Sequence, residues 1–152
     1  MNQQQQTIDA FVAAFNRNDL DAVMGFFSSD ALYLPGDGSA HRGPRAIRAA
    51  FEPQFRGAYG RMHFEEHDRF EDLVARKMTI RWTCRHDLSA AKPAFGKLRV
   101  LHALLGLGMG RQFGWEGLDV FHFDEAGLIC GKFSYANYPF PLVRRALGAA
   151  RS

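Results

Sequence analysis

Apolar residues recur at helical spacing along the first third of the chain. After Thr7, the positions Ile8, Phe11, Val12 and Phe15 follow an i, i+3, i+4, i+7 pattern, which predicts an amphipathic helix. The run "NRND" breaks it, and Asn18 with Asp21 reads as an acidic variant of the capping box. Leu20, Val23, Met24 and Phe27 repeat the stripe in a second short helix, which "SSD" ends. "ALYL" predicts a short strand and "PGDGSAHRG" a loop. Pro44 suits the first position of a third helix with Ile47, Ala50 and Phe51 inward. Glu52 precedes Pro53, so that helix should bend or stop there. Residues 1–6 read as a frayed polar tail.

From Arg61 the period changes to two. "RMHFEEHDRF" is one candidate strand. "ARKMTIRWTCRHDL" is another, with Met78, Ile80, Trp82, Cys84 and His86 on one face and Thr79, Arg81, Thr83 and Arg85 on the other. "GWEGLDVFHF" and "LICGKFSYAN" are joined by the turn "DEAG" into an antiparallel hairpin. Between these strands lies a long apolar connection, residues 89–112. Its length and its run "VLHALLGLGM" suit a lid over a pocket mouth or a contact between two copies. A C-terminal extension, residues 138–152, predicts a basic helix after Pro141. No repeat or linker interrupts 1–152, which reads as one domain. Helices first and antiparallel strands afterwards predict an α+β fold, with helices packed on one face of a curved, mainly antiparallel sheet.

Composition narrows the class. A chain of 152 residues with 47% hydrophobic and 23% charged residues can bury a real core. Fourteen phenylalanines suit a core that surrounds a cavity as well as a solid one. The net charge is +3, but the basic residues are scattered among acids, so no nucleic-acid partner is expected. The start has neither the basic nor the apolar region of a signal peptide, and no stretch approaches a membrane span. The expected location is the cytoplasm, with Cys84 and Cys130 as reduced thiols.

One residue breaks the apolar pattern in a way that asks for chemistry. Asp119 sits between Leu118 and Val120, on the strand face shared by Trp115, Gly117, Phe121 and Phe123. A carboxylate there is costly unless it is paired, hydrogen-bonded or neutral. Two readings stand. Asp119 is a pocket acid among aromatic rings, or it is paired with Lys132, which shares a face with Ser134 and Ala136 on the adjacent strand.

The segments "IDAFVAAFNRNDLDAVMGFFSSDALYL", "HRGPRAIRAAF" and "GLDVFHFDEAGLI" together resemble the SnoaL-like and ketosteroid isomerase-like proteins of the nuclear transport factor 2-like superfamily. The resemblance implies a cone-shaped α+β fold over about Thr7 to Asn137. In ketosteroid isomerases, a strand reading Asp-x-Phe-x-Phe carries a protonated aspartic acid that donates to the developing oxyanion. Here "DVFHF" puts Asp119 at that position. The isomerase tyrosine of the first helix corresponds to Phe11, which has no hydroxyl. The isomerase base corresponds to Pro35, with Asp37 two residues later.

Two function classes follow. One is a cofactor-independent isomerase, cyclase or dehydratase acting on an apolar carbonyl compound. Asp119 would be proton donor or oxyanion stabiliser, Asp37 or His86 the base, and Phe11, Phe15, Trp82, Trp115 and Phe121 the walls. The other is a non-catalytic ligand-binding or accessory domain. Either is compatible with a homodimer through the outward row Leu118, Val120, Phe133 and Tyr135. His63, Glu65 and His67 share one strand face, but Met62 and Phe64 mark the opposite face as buried, so no metal site is expected. Cys84 reads as a core thiol. "GLGMG" lacks the spacing and context of a dinucleotide fingerprint.

Overall fold

The computed structural model describes residues 2–57, 60–87 and 112–137. The order is α1 (Gln3–Asn16), α2 (Leu20–Met24), β1 (Phe27–Leu34), β2 (His41–Arg42), α3 (Gly43–Phe55), β3 (Arg61–Asp72), β4 (Lys77–Asp87), β5 (Gln112–Phe123) and β6 (Ile129–Asn137). The strands form one six-stranded sheet in the order β2-β1-β6-β5-β4-β3. All neighbours are antiparallel except β1 and β6, which run parallel. The helices pack on the concave face, so the expected α+β architecture holds, with a mixed sheet. The apolar connection expected over 89–112, apart from Gln112 at the start of β5, and the helix expected after Pro141 lie outside the described residues.

The N-terminus corrects one expectation. From their polarity residues 1–6 are expected to be a frayed tail, but Asn2 caps a helix, α1, that begins at Gln3. Asn2 and Gln5 form a reciprocal capping box, and both also donate to Glu71 of β3, at 2.7 and 2.9 Å. Gln3 donates to the carbonyl of Ala126 in the β5–β6 turn. Glutamines that looked like solvated sequence are tied to strand β3 and to the β5–β6 turn.

Three further boundaries differ. The cap of α2 is Asp19, whose side chain accepts from the Ala22 N–H. Asn18, expected as the cap, adopts φ 61° and donates to the Phe55 carbonyl. The strand β1 begins at Phe27, so "SSD" lies within it rather than ending α2; the register against β6 jumps between Phe27 and Leu32. Helix α3 carries Pro53 inside its last turn and runs on to Phe55, so it does not stop at Glu52.

The core forms where the helical stripe meets the sheet. Ile8, Phe11 and Ala14 of α1 and Ile47 and Phe51 of α3 are buried against Met78, Ile80, Trp82 and Phe121. Phe11 meets Phe121 edge to face at 5.7 Å, and Phe51 packs on Tyr33 at 4.8 Å. Strand β3 changes register between Glu66 and Asp68, leaving His67 as an extra residue. Beyond this bulge Arg69 and Glu71 take the half-buried positions, while Phe70 is exposed.

Candidate functional site

Paired strands set side chains of the concave face in rows across the sheet. Ile80 of β4 pairs with Asp119 of β5, which pairs with Ser134 of β6. In the next row, Met78 pairs with Phe121, and Phe121 with Lys132, which is itself in register with Tyr33 of β1. On the other side, Trp82 pairs with Gly117, and Gly117 with Ala136. Farther along β4, Cys84 pairs with Trp115. Between these rows and the helices lies a cavity of about 660 Å³. That size falls in the range of small-molecule sites.

The cavity walls are mostly aromatic. Phe11 and Phe15 come from α1, Phe51 from α3, Phe64 from β3, and Trp82 and Trp115 from the central strands. Phe121, expected as a wall, is fully buried behind Phe11 and Lys132 and is not among the lining side chains. Tyr33, Phe51 and Ser134 line it without having been singled out from the sequence.

Asp119 and Lys132 are both 5% exposed, and both line the cavity. The Lys132 ammonium lies 2.8 Å from Asp119 Oδ2 and donates to Ser134 Oγ at 2.7 Å. It also sits 5.1 Å from the ring centre of Tyr33 and 5.5 Å from that of Phe121. The two sequence readings of Asp119 therefore describe one arrangement, an ion pair that is also part of a cavity wall. Two buried polar atoms of residues lining the same cavity, Asp119 Oδ1 and Trp82 Nε1, have no hydrogen-bond partner among the described residues. A native interior leaves few such groups.

The other candidates are placed apart from this pair. His86 is buried, with its ring 4.1 Å from that of Trp115 and Nε2 3.4 Å from Cys84 Sγ. It lines the same cavity, but six residues along β4 from Ile80, the partner of Asp119. That is on the order of 20 Å of extended strand. Asp37 lines the cavity from an exposed loop, and its Oδ1 accepts from both the N–H and the hydroxyl of Ser39. Ser39 Oγ in turn lies 2.9 Å from His41 Nε2, so this carboxylate helps hold the loop. Burial pushes the Cys84 thiol up to about 12, which leaves it inert as a nucleophile at neutral pH.

His63, Glu65 and His67 are exposed on the convex face. Glu65 pairs with Arg85, and His67 lies against Thr83. No group of three metal-ligating side chains occurs among the described residues.

Helices packed over a curved sheet leave a cavity whose wall carries a buried ion pair. The chain belongs to the SnoaL-like domain family, whose model matches residues 8–131. Solved structures agree on the fold. A putative polyketide cyclase from Xanthomonas campestris pv. campestris superposes with a TM-score of 0.68 at 15% identity, over 96% of this chain and 95% of its own. SalBIII, an epoxide hydrolase/cyclase-like enzyme with a role in pyran ring formation in the polyether salinomycin, gives 0.67 at 13% identity, over 88% and 90%. A Mycobacterium tuberculosis protein in complex with estradiol-17beta-hemisuccinate gives 0.65 at 14% identity, over 90% and 95%. At these identities the likeness is one of fold. Comparison with curated protein sequences finds no match. Among the described residues, no helix is long and apolar enough to cross a membrane.

Proposed function

We propose that the cavity takes a small, mostly apolar, ring-containing carbonyl compound and acts on it by acid/base chemistry without a cofactor. Isomerisation, cyclisation and dehydration share this demand, a proton removed next to a carbonyl while charge develops on its oxygen. The observation that carries the reading is the Asp119–Lys132 pair on the wall of an aromatic cavity. A buried ion pair is a poor source of stability compared with apolar packing, so its position beside open space points to a ligand.

The roles follow from charge. In the pair, Lys132 is the donor and stabilises the carbonyl oxygen. Asp119 is the acceptor and removes the neighbouring proton. This reverses the part expected for Asp119 from the ketosteroid isomerases, where the strand aspartic acid donates. Phe11, without a hydroxyl, leaves Lys132 to supply the donor. His86 and Asp37 contact the far end and the rim, where they select the ligand's remaining groups. Two of the solved relatives, the cyclase-like enzyme and the steroid-ligand complex, are consistent with ringed, oxygenated ligands. A second copy would pack on the convex row Leu118, Val120, Phe133 and Tyr135; sedimentation as a monomer at micromolar concentration would remove that part.

The test needs no knowledge of the natural substrate. Hydrogen–deuterium exchange next to the carbonyl of 2-tetralone is followed by NMR in D2O. The wild type is expected to accelerate exchange over buffer, and Asp119→Asn to lose roughly 10²–10⁴-fold of that acceleration. Equal exchange in both proteins removes the base role of Asp119. Saturable binding without acceleration in either favours the ligand-binding reading.

A further inference from the structure

We propose that Lys132 is a covalent catalyst that condenses with the carbonyl carbon of its ligand to form an imine. This rests on the reading of the cavity as a carbonyl site and goes beyond it, because the activation becomes covalent.

The choice of residue is the first observation. Of the 19 Lys and Arg residues only four are lysines: Lys77, Lys92, Lys97 and Lys132. The ion pairs at Arg48, Arg56, Arg69, Arg76, Arg81 and Arg85 all use arginine. The buried pair on the cavity wall uses lysine. For holding a buried carboxylate, arginine is the better side chain: it is always charged, and its fork matches both oxygens. Lysine offers one property that arginine lacks. It can give up its proton and become a nucleophilic amine.

The second observation is that the groups needed for that step are in place. Asp119 Oδ2, at 2.8 Å, can take the proton from the ammonium. Ser134 Oγ, at 2.7 Å, accepts from the ammonium and can turn its own hydrogen toward the neutral amine. Tyr33, Phe51 and Trp82 line the same cavity and limit the water that would hydrolyse an imine. The steps balance. Asp119 carboxylate takes one proton from the Lys132 ammonium. The amine attacks the carbonyl carbon, the C=O π bond breaks, and a nitrogen proton moves to the oxygen to give the carbinolamine. Asp119 then returns its proton to that oxygen, the C–O bond breaks, and water leaves. A protonated imine remains beside the Asp119 carboxylate. The positive nitrogen draws electrons from the adjacent C–H bond, so the same carboxylate can remove that proton to give an enamine. No oxidant or reductant is consumed.

Reductive trapping tests the imine directly. The whole protein is incubated with 2-naphthaldehyde and sodium cyanoborohydride, digested, and the naphthylmethyl adduct located by mass spectrometry. Binding of the aldehyde is followed separately by quenching of tryptophan fluorescence. Lys132 is expected to be labelled roughly 100-fold faster than the other three lysines, as proximity in a binding cavity provides. Lys132→Arg, which keeps the cation beside Asp119, should retain the wild-type melting curve and lose the fast adduct. If the aldehyde binds saturably but Lys132 is labelled no faster than the other lysines, the imine is wrong while the carbonyl-pocket reading stands. If no saturable binding occurs, both fall together.

Discussion

Replacing Lys132 by Met removes the charge facing Asp119 and keeps a side chain of similar length. Asp119 is only 5% exposed, and its Oδ1 already lacks a partner, so no other described group takes over. Breaking a buried pair in this way costs about 3–5 kcal/mol. Access from the cavity should hold the loss to about 3 kcal/mol, a fall of about 2 M in the urea midpoint for a slope near 1.5 kcal/mol per M. The double change Asp119→Leu with Lys132→Met removes both charges. It should restore stability to within about 1 kcal/mol of the wild type or exceed it. It should also abolish the carbonyl exchange described above. The assay is equilibrium urea unfolding of the wild type, both single variants and the double variant. If the double variant stays as unstable as Lys132→Met alone, the pair is a stabilising element of the core, and the argument that its position points to a ligand collapses.

Other expectations concern separate parts of the fold. A Cβ on Gly117 would lie 2.5–2.6 Å from the six-membered ring of Trp82 and 2.9 Å from the Tyr135 carbonyl. Gly117→Ala should therefore push the indole off its seat, shift tryptophan emission and weaken large ligands more than small ones, and Trp82→Phe in the same chain should recover part of the binding of large ligands, since the Tyr135 carbonyl contact remains. The thiol of Cys84 is raised from 9.0 to about 12. Between those values the unfolded chain loses a proton that the folded chain keeps, so stability should fall by about 1.4 kcal/mol per pH unit as pH rises above 9. Unfolding curves of Cys84→Ala should lack that part of the slope. Glu71→Ala frees the side chains of Asn2 and Gln5 and should cost about 1–2 kcal/mol, with faster amide exchange confined to the start of α1.

Much of the sheet could be read from alternation, because period-two burial on β4 and β5 has no competing explanation. That register also brought Asp119 and Lys132 to the same face of neighbouring strands. Other features depended on tertiary partners. The first six residues looked unstructured because glutamine has no apolar stripe, yet Asn2 and Gln5 find Glu71 on β3, and Gln3 finds Ala126 in the β5–β6 turn, all more than 60 residues away. "SSD" looked like a helix end because its residues favour turns, and a register shift absorbs them into β1. Strict alternation along β3 would have put Asp68 and Phe70 inward. The bulge at His67 exchanges them for Arg69 and Glu71, and a single extra residue leaves no clear periodic signal. The paired state of Asp119 and its place on the cavity wall looked like alternatives because spacing gives faces but not volumes. Gly117 shows the limit: its missing side chain leaves room that the Trp82 indole fills, which spacing alone does not reveal.

The central claim is that a ligand's carbonyl meets the Asp119–Lys132 pair, and a crystal structure with 2-tetralone bound tests it most directly. The ketone is expected in the aromatic cavity, with its oxygen or carbonyl carbon within bonding reach of Lys132 Nζ and an adjacent carbon facing Asp119. A ketone seated with its oxygen toward Asp37 or His86, leaving the ion pair untouched, would contradict it.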